Sequence, residues 1–362
     1  MRKLKILFVF LIFSLFLFWP GFVQAQEEIL EGKITNILEQ DLSLKDGQET
    51  IYQKLEILVS KGSFKGQKIE VESGDISVVS QPIFKAGDGV LISYSQDFED
   101  NDVFFVVDFT RRWPLFWLFV IFLVLTFFIG KKRGLMAILG LLISFLVIFK
   151  FILPGIYNGY DPVLVSILGS VLIVPLTFYL SHGLNKKTSI AVAGTFLSLL
   201  ITGILASLFI YLTRLTGYSS EEAAFLQVAK QGAINIRGLL LAGIIIGTLG
   251  VLDDITISQA AIVRQLKLAD KKVPVKKLFS RAMSVGKDHI ASMINTLVLV
   301  YTGASLPLLL LFINGSSTFS QIINYEIIAE EIIRTLVGSI GLITAVPITT
   351  FLAVKLIGKK EE

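Results

Sequence analysis

Seven stretches of this sequence are apolar for long enough to reach across a lipid bilayer, and that limits the folds open to it more than any other feature. A helix rising about 1.5 Å per residue needs roughly 17 or more apolar residues to span a hydrocarbon core about 30 Å thick. The runs lie at 115–129, 135–153, 163–180, 190–212, 238–257, 290–313 and 332–357, the first reaching full length only with Trp113. Composition agrees: 17% of residues are charged and mean hydropathy is +0.73, whereas soluble domains carry about 25% charge. The sequence predicts an α-helical polytopic membrane bundle of seven transmembrane helices over 113–362.

Two further segments precede the bundle. Residues 1–25 have the form of a secretory signal peptide, with Arg2, Lys3 and Lys5 before an apolar run, a break at Pro20 and Gly21, and a small-residue cleavage pattern ending at Ala25. An uncleaved anchor is the alternative, and both place residue 26 outside the cytoplasm. Residues 26–112 change to soluble-type composition. Alternating and β-branched residues mark strands near 29–38, 51–60, 68–71, 89–94 and 103–109, with turn signals at Asp46-Gly47, Lys61-Gly62, Ser73-Gly74-Asp75 and Gly87-Asp88-Gly89. Short strands at this spacing predict an N-terminal extracytoplasmic small β-barrel-like, OB-like domain, structural or partner-docking rather than ligand-binding.

Charge gives the orientation. Lys131, Lys132, Arg133, Lys186, Lys187, the cluster from Arg264 to Lys287, Lys359 and Lys360 fall in alternate loops, whereas 154–162 and 314–331 carry no Lys or Arg. The positive-inside rule places the basic loops and the C-terminus in the cytoplasm. The net charge of +4 thus reports topology and no nucleic-acid partner. The expected partner is the lipid bilayer, with the basic 267–281 stretch on anionic headgroups. A homo-oligomer is compatible with the sequence. Ser219 and Ser220 before Glu221 and Glu222 predict a capped helix through Ala229. The absence of cysteine and a total of two histidines exclude disulfides, thiol nucleophiles and His-rich metal sites; the sequence names no cofactor.

The functional candidate is the run 237–263, where Asp253 and Asp254 interrupt an otherwise apolar segment. A carboxylate at membrane depth costs at least about 2.5–3.5 kcal/mol, so the pair requires a wet cavity, a partner or the interface. Thr256, Ser258 and Gln259 are the next polar residues, and the helix either tilts to the interface or breaks near Asp253. Gly243, Gly247 and Gly250 form a small-residue stripe suited to helix packing. In the sixth run Ser284, Asp288, Ser292, Asn295 and Thr302 share one face. His182 and His289 fall at the same end of the bundle, so these polar groups either converge with Asp253 and Asp254 on an ion- or solute-binding site or are each solvated at their own helix end.

The run LGVLDDITISQ at 249–259, with the leader, the β-rich segment closing in VVDFTRRWPL and the spans that follow, resembles the YibE/F family of bacterial membrane proteins. The resemblance implies a multi-pass protein of the bacterial inner membrane with a transporter-like body, and brings no substrate, reaction or catalytic residue. Asp253, Asp254, Thr256, Ser258 and Gln259 enter as positions of its motif. The expectation is a transporter or permease moving an ion or small solute past the paired aspartates. The alternatives are a membrane scaffold or sensor module, and a membrane-embedded enzyme, although no HExxH, GxSxG or P-loop pattern is present.

Overall fold

The structure is a computed structural model that describes residues 28–45, 48–73, 82–97, 101–313 and 318–357. The expected leader at 1–25, the turn residues Asp46, Gly47, Gly74 and Asp75, and Lys359 and Lys360 lie outside the described residues. The chain divides into two compact units, Met1–Phe122 and Leu123–Glu362. That division falls inside a helix, C-terminal to the change of composition at 112–113.

The first unit holds five antiparallel strands: β1 (Glu28–Lys45), β2 (Gln48–Lys61), β3 (Lys68–Ser73), β4 (Gly89–Gln96) and β5 (Asp102–Phe109), in the order β3-β2-β1-β4-β5. All five expected strands are present. The sheet curls into a half-barrel, with β3 and β5 close but not paired. Two features of β1 produce the curl. Its register against β2 shifts between Glu31 and Gly32, Ile34 and Asn36, and Ile37 and Glu39, and such irregularities bend a strand. Gly32 is buried so close to its neighbour that a Cβ would stand 2.5 Å from Ile57 Cγ2. Leu30, Ile34, Leu55, Ile57, Val90 and Ile92 fill the concave side. Phe84 joins them through Gln53, whose Nε2 donates to the Phe84 carbonyl at 3.0 Å while its Oε1 accepts from the Phe84 amide at 2.9 Å. The buried Gln53 side chain thereby does for this loop what a neighbouring strand would do.

Ion pairs ring the half-barrel and give it a defined acid response. Arg112 holds the Glu31 carboxyl below the usual glutamate value of 4.5, with Lys61 adding to the effect. Ser63 does the same to Glu28, Lys68 and Thr35 to Glu56, and Arg111 to Asp108 below its usual 3.8. A carboxyl whose folded pKa is depressed contributes stability that is complete above its unfolded pKa and is lost as pH falls through the folded one. The melting temperature of residues 26–112 is therefore expected to stay flat down to about pH 5 and to fall below it. A melting temperature that rises on acidification through this range would contradict the assignment.

The second unit is helical. The helices are α1 (Arg112–Val147), α2 (Leu153–Tyr157), α3 (Pro162–His182), α4 (Lys186–Leu212), α5 (Glu221–Ala229), α6 (Ile236–Ala269), α7 (Val275–Ala304), α8 (Leu306–Ile313), α9 (Phe319–Ile322) and α10 (Glu326–Ile357). Among the described residues five helical runs are long and apolar enough to cross a membrane, or six if α7 and α8, bent by 67°, count as one span. The expected runs at 115–129 and 135–153 both fall in one helical stretch, Arg112–Tyr157. That stretch is not straight. Lys131 has φ +48° and ψ −131°, outside helical geometry. Gly134 lies against the Thr126 carbonyl so closely that a Cβ would collide with it; in an unbroken helix these residues would be about 12 Å apart. Further on, a π-helical turn at Ile148–Ile152 precedes Pro154, where the missing N–H and the ring would disrupt an ordinary α-helical ladder.

Local sequence sets the other helix starts. Asp161 accepts from Leu164 N with Pro162 at the first turn, Asn185 from Thr188 N, Ser220 from Ala223 N and Asn235 from Gly238 N. The serine cap and the short helix after it stand where the sequence puts them.

α4, α6 and α10 form the centre of this unit. The apolar window of α6 is 56% buried, the largest share among the candidate spans of the described residues, so α6 is the axis. Between α4 and α10 the contact is reciprocal. A Cβ on Gly194 would strike Thr349, and a Cβ on Gly341 would strike Thr202. Each helix contributes one glycine and one threonine to an antiparallel pair of interlocks.

Candidate functional site

α6 runs unbroken through Asp253 and Asp254. Of the two geometries open to the sequence, the broken one is not adopted. Being continuous, the helix sorts the motif by its 100° turn per residue. Ile246, Leu249, Gly250, Asp253, Asp254, Ile257 and Ser258 face an open hollow of about 750 Å³, lined on its other sides by α1 and α3. Thr256 and Gln259 point the opposite way and are fully buried in the three-helix centre. Thr256 Oγ1 lies 2.8 Å from Thr195 Oγ1 of α4. Gln259 Nε2 donates to the Ala282 carbonyl of α7 at 3.0 Å and to Thr350 Oγ1 of α10 at 2.7 Å. The five motif positions thus divide into a cavity-facing set, Asp253, Asp254 and Ser258, and a set that ties helices together, Thr256 and Gln259.

The hollow is apolar along its length and charged at one end. Arg133 from α1 and Ser181 and His182 from the end of α3 line it together with the two aspartates. His182 is where the sequence placed it. Arg133, which the sequence marks as an orientation signal, belongs to the lining as well, two residues after the non-helical turn at Lys131. Asp253 is half-buried and Asp254 exposed; among the described residues neither carboxylate has a hydrogen-bond or ion-pair partner. Gly250 and Gly140 also line the hollow, and side chains there would narrow it.

The other sequence candidates are placed elsewhere. Asp288 and Asn295 are exposed on α7 and His289 is half-buried there, and none lines the hollow with Asp253. The expected convergence is therefore limited to Asp253, Asp254 and His182. The physical reason lies in α7, whose contact with α10 and α6 uses Leu278, Ala282, Gly286 and Leu297 and turns the polar stripe outward. Nor does the glycine stripe pack in this chain. A Cβ on Gly243 or Gly250 would meet nothing within 4 Å, and one on Gly247 would come only within 3.4 Å of Tyr301 Oη. Close approaches lie instead at Gly194, Gly341, Gly169 and Gly286, the last with Val346 Cγ1 2.5 Å from an added Cβ. Spacing along one helix cannot identify such positions, because they depend on what the neighbour presents. Among the described residues no group of three or more His, Asp or Glu is placed to hold a metal ion.

A family model described as YibE/F-like protein matches residues 118–359. The chain belongs to that family. The match covers the helical unit almost entirely, and the residues that line the hollow at Asp253, with all five motif positions, fall inside the matched range. No curated protein and no solved structure matches the chain.

Proposed function

We propose that this YibE/F-like protein is a membrane transporter or permease that moves an ion or small solute past Asp253 and Asp254. The observation that carries this reading is the roughly 750 Å³ hollow in which two unpaired carboxylates stand beside Arg133 and His182 at the end of an otherwise apolar cleft. Unpaired carboxylates are a liability on an apolar helix and are kept where they bind or relay charge. Their hollow is bounded by α1 and α3 on one side and α6 on the other, as a path between helices requires. Thr256 and Gln259 hold α6 in place, and Asp253, Asp254 and Ser258 meet the solute.

The topology proposed with it has seven spans. The turn at Lys131 supports counting Arg112–Tyr157 as two crossings, and α7 with α8 as one. An N-terminal leader, an OB-like domain on the extracytoplasmic side and a cytoplasmic C-terminus then follow from the basic loops. A cysteine placed at Lys272 in this cysteine-free chain is expected to resist an impermeant thiol reagent in intact cells and to react once the membrane is opened. Labelling in intact cells would reverse the orientation.

Function is tested by reconstituting the full chain in liposomes loaded with a pH-sensitive dye and screening inorganic ions and small metabolites. Flux above that of protein-free liposomes for at least one of them is the expected result. Absence of flux across the whole screen, with correctly inserted protein, would count against a transporter.

A further inference from the structure

A second charged hollow lies away from the aspartates, where the start of α4 meets the ends of α6 and α10. It encloses about 360 Å³ and is lined by Asn185, Lys186, Lys187, Arg264, Lys267 and Lys271, with Leu268, Leu356 and Ile357 as an apolar wall. Among the described residues that line it, Lys186, Lys187, Arg264, Lys267 and Lys271 are cationic and none is Asp or Glu. On the other side of Lys187 and Arg264 a hollow of about 350 Å³ adds Arg133 and His182. The nearby Asp270 pairs with Arg281 at 3.4 Å, and among the described residues it makes no ion pair with Lys187, Arg264 or Lys267. Lys267 is held in place by donating to the Lys271 carbonyl at 2.6 Å.

Packing like charges around one concave space is unfavourable unless an anion occupies it. The size is that of a ligand pocket, about 300–1,000 Å³, and larger than a counter-ion requires. Guanidinium and ammonium groups together suit tetrahedral phosphate oxygens, the Arg as a planar fork and the Lys as point charges. From these residues we propose that the pocket between Lys187, Arg264 and Lys267 binds a phosphate group. Two sources carry that chemistry. The wall of Leu268, Leu356 and Ile357 matches the glycerol and first methylenes of an anionic phospholipid, and the cationic side alone would accept a soluble phosphate. The inference stands apart from the transport reading, since it uses neither Asp253 nor Asp254.

The test uses the full chain in maltoside micelles, following both its melting temperature and, by native mass spectrometry, the number of bound lipids. One arm adds phosphatidylglycerol against phosphatidylcholine, and the other adds inorganic phosphate or pyrophosphate against sodium chloride of equal ionic strength. A response in the lipid arm alone identifies a headgroup site, in the soluble arm alone a free-phosphate site, and in both a site that takes either. Each cation removed is expected to weaken binding about fivefold, so Lys187→Gln with Arg264→Gln should weaken it about 25-fold and Lys187→Arg should keep it. If the double variant does not fold, Lys267→Gln alone carries the same test. The control is Lys276→Gln with Lys277→Gln on the exposed face of α7. No response in either arm beyond the salt control would overturn the proposal. So would a loss in the control as large as in the pocket variants.

Discussion

In the liposome assay, Asp253→Asn is expected to bring flux down to the protein-free background while leaving the melting temperature in detergent equal to or above that of the native chain. The amide keeps the shape of the carboxylate and removes its charge. Because Asp253 has no hydrogen-bond or ion-pair partner among the described residues, nothing in the fold is lost with that charge, and an unfavourable desolvation is relieved. Asp254, which is exposed on the same face, should show a partial loss on the same substitution. Ser258→Ala is expected to act on solute preference and leave stability unchanged. Full flux from Asp253→Asn would remove this residue from the path and reduce the pair to a feature of the helix surface.

The largest effect on stability is expected at the interlocks between α4 and α10. In a lipid-facing bundle helix association depends on close van der Waals fit, with no hydrophobic gain between helices to offset a poor one. An alanine at Gly341 collides with Thr202 Oγ1, which is fixed by donating to the Ser198 carbonyl at 2.9 Å. Overpacking of this kind costs about 1–3 kcal/mol. Gly341→Ala should therefore lower the melting temperature clearly, and adding Thr202→Ala should restore most of it. After that second change the nearest remaining neighbours of the new methyl, the Cβ of residue 202 and Thr248 Cγ2, both stand at 3.4 Å, an ordinary contact. Failure of the second substitution to rescue the first would mean that Gly341 is needed for something other than space.

The separation between what could and could not be read in advance follows the range of the interaction. Strands β1 to β5 and the Ser220 cap are set by neighbours in sequence, and they appear where alternation and turn residues put them. Run length marks the apolar helices but not their breaks, since 115–129 and 135–153 fall in one helical stretch and 290–313 is divided by the 67° bend between α7 and α8. Asp253 and Asp254 were visible because a charge in an apolar run is anomalous without knowledge of any partner. The division of the motif was legible only in principle. The helical turn separates Asp253 and Ile257 from Thr256 and Gln259, but which side is cavity and which is core depends on α4 and α10, distant in sequence. Arg133 lines the hollow two residues after a backbone turn at Lys131 that run-length counting does not register. Period places the polar residues of α7 on one face and leaves open whether that face converges on Asp253 or is solvated by itself, because it says nothing of what the face meets; Asp288 and Asn295 are exposed.

The paired glycine and threonine contacts act as a ratchet stop. For α4 to slide along α10 in either direction, a threonine must climb out of the notch opposite it at both places together, and the helix backbones must separate before any new fit is reached. Gln259 also ties α6 to α10 through Thr350 Oγ1 at 2.7 Å, so sliding within the trio breaks contacts on every pair of its helices. If the hollow at Asp253 opens first to one side and then to the other, the displacement falls to α1 and α3, which form its remaining walls and which carry at Lys131, the π-helical turn and Pro175 the local irregularities that let a helix bend. The rigid half of the machine and the compliant half are then two different sets of helices, and the carboxylates sit on the rigid one, facing the seam.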